Sequence, residues 1–171
     1  MMKKILVVLA LIVTISLFAQ DKFPTFSLEN LNGQEVKLND FLQEGELVLI
    51  DFWATWCKPC IKAMPELDKI NVDYENVTVI AISTDRPRDI NKVKRTIRSK
   101  NFSFITLLDS NKELQREINL KNVPRTIVIN NQCEILYDHT GFKIGDEQTL
   151  RTKLDELLQP KQDQAKKELD R

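Results

Sequence analysis

The chain has 171 residues, with 25 basic and 25 acidic side chains and 42% hydrophobic residues. A chain of this length can form one domain with an ordinary hydrophobic core, and the composition excludes a disordered protein. The balanced charge gives no indication of nucleic-acid binding or of a general role at membrane surfaces.

The first 19 residues predict an export signal. A basic start at positions 1–4 precedes an apolar run from Ile5 to Phe18, which is short for a spanning helix of about 20 apolar residues. We expect cleavage after Ala19; an uncleaved anchor is the alternative, because Leu17 is larger than the small residue usual at that place. Residues 20–159 then form the predicted domain, and residues 160–171 form a charged tail.

The domain is predicted to begin with a β-hairpin. Two short alternating runs within Thr25–Leu38 flank Asn32-Gly33, which is a typical hairpin turn. Asn39 is expected to cap a short helix over the next three residues. The run Leu47–Trp53 is apolar without alternation, apart from one aspartate, and predicts a central strand covered on both faces.

The helix after this strand begins at two cysteines, Cys57 and Cys60, which are separated by Lys58 and Pro59. The unsatisfied N–H groups and the dipole at a helix N-terminus favour a thiolate at Cys57. Pro59 fits the first turn, and the spacing brings Cys60 to the same side. We expect an exposed, reactive Cys57 and a more covered Cys60, so that Cys57 opens a partner disulfide and Cys60 resolves the mixed disulfide.

Other uses of the cysteine pair are less well supported. A zinc site needs two more ligands, and only Cys133 and His139 remain to supply them. A structural disulfide across so short a loop would remove little chain entropy. One close pair and one odd cysteine in an exported chain are typical of a redox catalyst. Cys133, in a predicted hairpin turn, is expected to be an exposed bystander, and His139 to have no catalytic role.

Strands and helices alternate in the rest of the chain. The helix from Cys57 is predicted to reach about Tyr74 and to bend at Pro65. In chain order we then predict strand Val77–Ser83, helix Asp89–Lys100, strand Phe104–Leu108, helix Lys112–Ile118, a hairpin of Thr126–Asn130 with Glu134–Tyr137, and helix Glu147–Leu158. Strand–helix–strand order makes the strand at Val77 parallel to the strand at Leu47.

Seven cations lie in or just before the helix at Asp89: Arg86, Arg88, Lys92, Lys94, Arg95, Arg98 and Lys100. Such a basic face is usually only solvated, and docking of a partner is the alternative.

The segment Asp51–Cys60, which reads Asp-Phe-Trp-Ala-Thr-Trp-Cys-Lys-Pro-Cys, resembles the active-site segment of the thioredoxin superfamily. The continuation through Leu67 and the opening Phe23–Leu28 are most similar to its TlpA/ResA branch of extracytoplasmic thiol–disulfide oxidoreductases. The resemblance implies an α/β thioredoxin-like fold. In that fold helices flank both faces of a central mixed β-sheet, with an N-terminal β-hairpin and a central insert.

The resemblance also implies supporting residues. Pro124 would be cis and would face the disulfide, so that the backbone of Val123 could pair with a substrate strand. Asp51 matches the buried acid of thioredoxins, and desolvation should raise its pKa so that it can accept and return the proton of Cys60. The lysine that accompanies this acid in thioredoxins is replaced by Ala81.

Three further side chains near the cysteines have expected roles. Trp56 should shield Cys57 and offer partners a flat apolar contact, whereas Trp53 is expected in the core. Lys58 places a positive charge beside the thiolate and should lower the pKa of Cys57.

Together these features predict dithiol–disulfide exchange, and the resemblance implies reduction of protein disulfides in the bacterial periplasm or cell envelope, including those of apocytochrome c. It also implies a membrane-embedded electron donor. We expect no organic cofactor, no bound metal, a monomeric chain, and membrane contact only through an uncleaved N-terminal segment.

Several alternatives remain open. A thiol oxidant or isomerase would use the same pair. A peroxiredoxin-like enzyme needs Thr or Ser where Ala54 stands, and a copper-delivery protein spaces its cysteines by three residues instead of two.

Overall fold

The computed structural model describes residues 22–159. Its strands are β1 (Ser27–Asn30), β2 (Glu35–Lys37), β3 (Leu47–Trp53), β4 (Val77–Ser83), β5 (Ile105–Leu108), β6 (Arg125–Ile129) and β7 (Ile135–Thr140). Its α-helices are α1 (Lys58–Asp73), α2 (Ile90–Lys100), α3 (Glu113–Glu117) and α4 (Asp146–Leu158). All strands join one mixed sheet in the order β2-β1-β5-β4-β3-β6-β7.

The central strands are buried on both faces, as their apolar sequences predicted. Strands β3 and β4 are parallel, and β6 is antiparallel to β3. Alternate residues of β3 serve two cores: Leu49 and Trp53 pack on the side of α1, α2 and α4, whereas Ile50 and Phe52 pack on the side of α3. The predicted sheet with helices on both faces is therefore confirmed.

The N-terminal hairpin is also confirmed, with one correction beside it. Strands β1 and β2 pair across a turn in which Gly33 has a φ of 79°, a conformation that glycine adopts without steric cost. The short helix that follows is a 3-10 turn, Leu38–Phe41. Asn39 lies inside this turn and does not cap it; Asp40 instead accepts a hydrogen bond of 3.0 Å from the Lys37 N–H.

The segment that we expect to form the central insert contains strand β5 and helix α3, and it follows α2 in the chain. Strand β5 extends the sheet in parallel beside β4 and pairs antiparallel with β1. The hairpin thus adds two strands to the edge that the insert creates. Other element ends fall close to their predicted positions, and β7 continues to Thr140, beyond the predicted end at Tyr137.

The prediction that Cys133 is exposed is wrong. Cys133 lies in the β6–β7 turn with a φ of 60°, but it is buried and packs in the same core as Phe23. The Phe23 N–H donates a hydrogen bond of 2.8 Å to the Cys133 carbonyl. The N-terminal segment therefore crosses this turn and covers the thiol, and burial raises its pKa.

The predicted signal segment, residues 1–19, and the charged tail, residues 160–171, lie outside the described residues. Within residues 22–159, no helix combines the length and apolar character needed to cross a bilayer.

Candidate active site

The two cysteines form a disulfide at the start of α1. Cys57 and Cys60 are joined, with their Cα atoms 5.3 Å apart. Cys57 is the N-cap of α1, and its Sγ accepts a hydrogen bond of 3.2 Å from the Cys60 N–H. This sulfur therefore lies at the positive end of the helix dipole, where a thiolate would be stabilised.

The exposure of the two cysteines corrects one expectation. Cys57 is 4% exposed and Cys60 is 0% exposed. The expected order holds, because Cys57 is the more accessible of the two, but Cys57 is not the widely exposed group that its place at a helix end suggested. In the disulfide form, neighbouring groups cover most of its surface.

One of those neighbours is the backbone before Pro124. The Val123–Pro124 peptide bond is cis, as the family resemblance implied. The Sγ of Cys57 lies 3.6 Å from the Val123 carbonyl oxygen. A disulfide sulfur carries no hydrogen, so this is a close contact and not a hydrogen bond. On the other side, the Pro124 carbonyl accepts a hydrogen bond of 2.8 Å from the Gly141 N–H.

Asp51 lies within β3, on the face that α1 covers. It is the fifth of the seven residues of this strand. Its side chain is 1% exposed, and burial raises its pKa to about 7. The Thr126 hydroxyl donates a hydrogen bond of 2.8 Å to Oδ1, which lowers that pKa, whereas Oδ2 has no partner among the described residues.

The sheet register explains this environment. Asp51 is opposite Ala81 on β4 and opposite Thr126 on β6. Ala81 stands where thioredoxins have the lysine that accompanies this acid. Strand β4 therefore presents a methyl group, and no cation, to the Asp51 carboxyl group. A hydroxyl is its only hydrogen-bond partner within residues 22–159. The result is a carboxyl group that can exchange a proton near neutral pH.

The two tryptophans differ in exposure as expected. Trp53 is fully buried in the core, and Trp56, directly before Cys57, is 71% exposed. Lys58, directly after Cys57, is exposed as well. Cys57 is thus flanked on the surface by an aromatic ring and an ammonium group.

A buried carboxylate that the sequence reasoning did not select holds the loop before Cys57. Asp85 accepts hydrogen bonds from the Thr55 N–H (2.9 Å), the Thr55 hydroxyl (2.7 Å) and the Ser83 hydroxyl (2.9 Å). The polar run Ser83-Thr84-Asp85, which begins at the last residue of the buried strand β4, was the available signal. The carboxyl ends of parallel strands meet at one edge of a sheet, so these residues lie beside the end of β3.

Groups with metal-ligand potential are dispersed. Within residues 22–159, no three His, Cys, Asp or Glu side chains are grouped in a way that could hold a metal ion. His139 lies on β7 with its Nε2 3.3 Å from an Asp146 carboxylate oxygen.

Comparisons with known proteins agree with this geometry. Residues 19–138 match the AhpC/TSA family. The chain is 31% identical over 134 residues to thioredoxin-like protein YneN of Bacillus subtilis, covering 77% of each chain. It is 30% identical over 144 residues to the thiol-disulfide oxidoreductase ResA of Halalkalibacterium halodurans, covering 83% of this chain and 78% of the relative.

Solved structures share the fold. A Chlorobium tepidum protein described as thiol:disulfide interchange protein DsbE superimposes with a TM-score of 0.74 and 27% identity, covering 82% of this chain and 97% of that one. A thioredoxin-like protein of Porphyromonas gingivalis superimposes with a TM-score of 0.67 and 32% identity, covering 80% and 91%. With its Cys57–Cys60 pair at the start of α1, the chain therefore belongs to the AhpC/TSA family of thioredoxin-like proteins and is a thiol-disulfide oxidoreductase of the ResA/DsbE type.

Proposed function

We propose that this enzyme reduces disulfides of other proteins in the cell envelope, using Cys57 as the nucleophile and Cys60 as the resolving thiol. The observation that supports this most directly is the position of Cys57. Its sulfur caps α1, accepts the Cys60 N–H, and lies against the Val123 carbonyl, where a substrate strand could approach.

The reaction has two steps. In the reduced enzyme, the Cys57 thiolate attacks one sulfur of the substrate disulfide; that bond breaks, a mixed disulfide forms, and one substrate thiolate leaves. Cys60 then loses its proton and attacks Cys57, which breaks the mixed disulfide and releases the second substrate thiolate. Two electrons pass to the substrate, and the Cys57–Cys60 disulfide is left.

Asp51 is proposed to take the proton of Cys60 in the second step and to return it to a departing thiolate. A carboxyl group with a pKa of about 7 is ionised often enough to accept a proton at neutral pH and is basic enough to hold it. Asp51 lies on the sheet face that α1 covers, and Cys60 is in the first turn of α1. Its unpartnered Oδ2 is the oxygen available for this transfer.

The surface around the cysteines supports a protein substrate. Trp56 is a large exposed aromatic group directly beside Cys57, and such groups serve as contact residues for partners. The backbone of Val123 next to cis-Pro124 offers hydrogen-bonding groups to an extended segment. Lys58 adds a positive charge beside the attacking sulfur.

Location and electron supply complete the proposal. The apolar segment at residues 5–18 after a basic start supports export, by cleavage after Ala19 or as an anchor. An exported reductant must be reduced again after each turnover, which requires an electron donor that spans the membrane. Disulfides of apocytochrome c cysteines are candidate substrates through the likeness to the ResA branch, and we propose that the chain acts as a monomer.

An enzyme that oxidises or isomerises substrate disulfides would use the same residues. The reduction potential of the Cys57–Cys60 pair distinguishes these activities from disulfide reduction. The potential is measured by equilibrating Cys57–Cys60 with glutathione buffers. A value near about −270 mV, as in thioredoxin, supports a reductase, and a value near about −120 mV, as in the strong oxidant DsbA, contradicts it. In parallel, Cys60→Ser should accumulate the mixed disulfide with a model substrate, whereas Cys57→Ser should form none.

The role of Asp51 has its own test. Asp51→Asn should flatten the pH dependence of mixed-disulfide resolution between about pH 6 and pH 8, because the proton acceptor is gone. Thr126→Val is the matched control: it removes the hydrogen bond that lowers the pKa of Asp51, so the profile should move to higher pH instead of flattening. An unchanged profile in both variants would exclude Asp51 as the proton carrier.

A peroxidase is disfavoured on the same geometry. Ala54, three residues before Cys57, carries no hydroxyl, and the neighbouring Thr55 donates its hydroxyl to Asp85. Consumption of hydrogen peroxide at a rate comparable with substrate disulfide reduction would revive this alternative.

A further inference from the structure

A groove of about 590 Å³ opens beside the active-site loop. One wall is formed by Thr55 and Trp56, and the other by the segment before α2 and the first turns of α2. Four cations line it: Arg86, Arg88, Lys92 and Arg95. We call this surface the α2 groove. Because Trp56 is directly bonded to Cys57 in the chain, a segment that lies in the groove also lies next to the reacting sulfur.

The charges in the α2 groove do not cancel. Its two carboxylates are already engaged: Asp85 is 4% exposed and holds the Thr55 loop, and Asp89 pairs with Lys92 at 2.9 Å and with Arg88 at 3.7 Å. Arg86 and Arg95 are exposed and make no ion pair within the described part of the chain. Two guanidinium groups therefore face the groove without a direct ion pair there, and Arg86 acts on Asp89 only by a longer-range charge interaction.

The cationic surface continues along α2. A second groove of about 590 Å³, lined by Lys94, Arg95 and Arg98, shares Arg95 with the first. Residues 85–100 hold seven cations and two carboxylates, although the whole chain is neutral. A helix rises about 1.5 Å per residue, so the cations from Lys92 to Arg98 span about 9 Å, the length of about three extended residues. A short run of acidic residues would match this surface in length and in charge.

We propose that the α2 groove binds an acidic segment of the protein substrate, close in that chain to the disulfide that Cys57 attacks. This inference rests on the proposed exchange reaction and adds the chemistry of its partner. Guanidinium groups bind carboxylates through paired hydrogen bonds, and the exposed face of Trp56 gives the same segment an apolar contact. A membrane surface fits less well, because the cations line a concave groove and not a flat face.

The test compares two peptides that contain the same cyclic disulfide. One peptide carries four Glu residues beside the disulfide, and the other carries four Gln residues at the same positions. Two such pairs are made: in one pair the four residues precede the disulfide, and in the other they follow it. The rate of reduction by the reduced full-length chain is measured at low and at high salt. We expect the acidic peptide to react about tenfold faster at about 0.02 M salt, and the preference to disappear at about 1 M salt, where charges are screened within about 3 Å.

The variant R86Q/R95Q removes two groove cations that have no described ion pair. It should reduce the preference for the acidic peptide to about twofold or less. The ratio of the two rates cancels any change in the intrinsic reactivity of Cys57. The matched control K37Q/K153Q removes the same charge from β2 and α4, which do not line the groove, and should keep the tenfold preference. An equal preference in R86Q/R95Q and the original chain would overturn the proposal.

Two further measurements separate docking from chemistry. If the chain reduces neither peptide, the proposed exchange fails, and docking is then read from the fluorescence anisotropy of an acidic peptide whose cysteines are replaced by serine. Binding that weakens at least fivefold in R86Q/R95Q supports the groove, and unchanged binding overturns it. With vesicles containing phosphatidylglycerol, binding that depends on Arg86 and Arg95 without any peptide preference would assign the cations to a lipid surface and overturn the proposal.

Discussion

Replacing Asp51 with Asn removes a carboxyl group that is 1% exposed and that has only the Thr126 hydroxyl as a hydrogen-bond partner in the described chain. Burial raises its pKa from 3.8 to about 7. Each pH unit of difference between the folded and unfolded pKa corresponds to 1.36 kcal/mol, so ionising this buried group costs the folded chain about 4 kcal/mol.

The direction of the pH effect follows from proton uptake. Below about pH 4, Asp51 is protonated in the folded and the unfolded chain, and it contributes no pH dependence. Between about pH 4 and pH 7 the unfolded chain has lost this proton and the folded chain keeps it, so the free energy of unfolding falls as pH rises. Above about pH 7 both forms are ionised and the full cost is present.

The measurement is urea unfolding of the oxidised chain from pH 5 to pH 9. Asp51→Asn should gain about 2 to 4 kcal/mol over the original chain at pH 8, and less than about half of that gain at pH 5. Glu75→Gln, an exposed substitution with the same change in net charge, is the control and should give no such pH-dependent gain. If the gain from Asp51→Asn were equal at pH 5 and pH 8, the reasoning from burial would be refuted.

Two other predictions, one by substitution and one by alkylation, test features that only the structure revealed. Asp85→Ala leaves three donors without their acceptor, at Thr55 and Ser83, and should lower the free energy of unfolding by about 2 kcal/mol in urea titrations at pH 7. Thr55→Val added to that variant should cost little more, because the two residues share one network; additive losses would argue against it. Cys133 in the folded, oxidised chain should react with iodoacetamide at least about tenfold more slowly than in urea, since it is buried and its pKa is raised. Equal rates would mean that the N-terminal segment does not cover this thiol.

Much of the fold could be read from local sequence patterns. The apolar runs Leu47–Trp53 and Val77–Ser83 gave the two central strands, because strands buried on both faces need apolar residues at every position. Asn32-Gly33 gave the hairpin turn, and Cys57 with Pro59 gave the start of α1. In each case the information lies within a few neighbouring residues.

The site was predicted less completely than the fold. The cysteine pair carries its own spacing, and cis-Pro124 came from the family resemblance. Two hydrogen-bond partners were missed because they are distant in the chain. Thr126 is 75 positions from Asp51, and Asp85 is 30 positions from Thr55. Such contacts depend on the strand order and register, which local patterns do not specify.

The sequence by itself determined the chemistry of this protein, because two thiols three residues apart at a helix start can form and open a disulfide wherever that helix is placed. Only the tertiary structure decided how covered the thiols are, since Cys57 is shielded by a loop that arrives from Val123 and Cys133 by a segment that arrives from Phe23. It also placed Trp56 beside the cations of α2. The exposure of a residue and the charges around it depend on every segment that packs against it, so they are set only when the chain is folded.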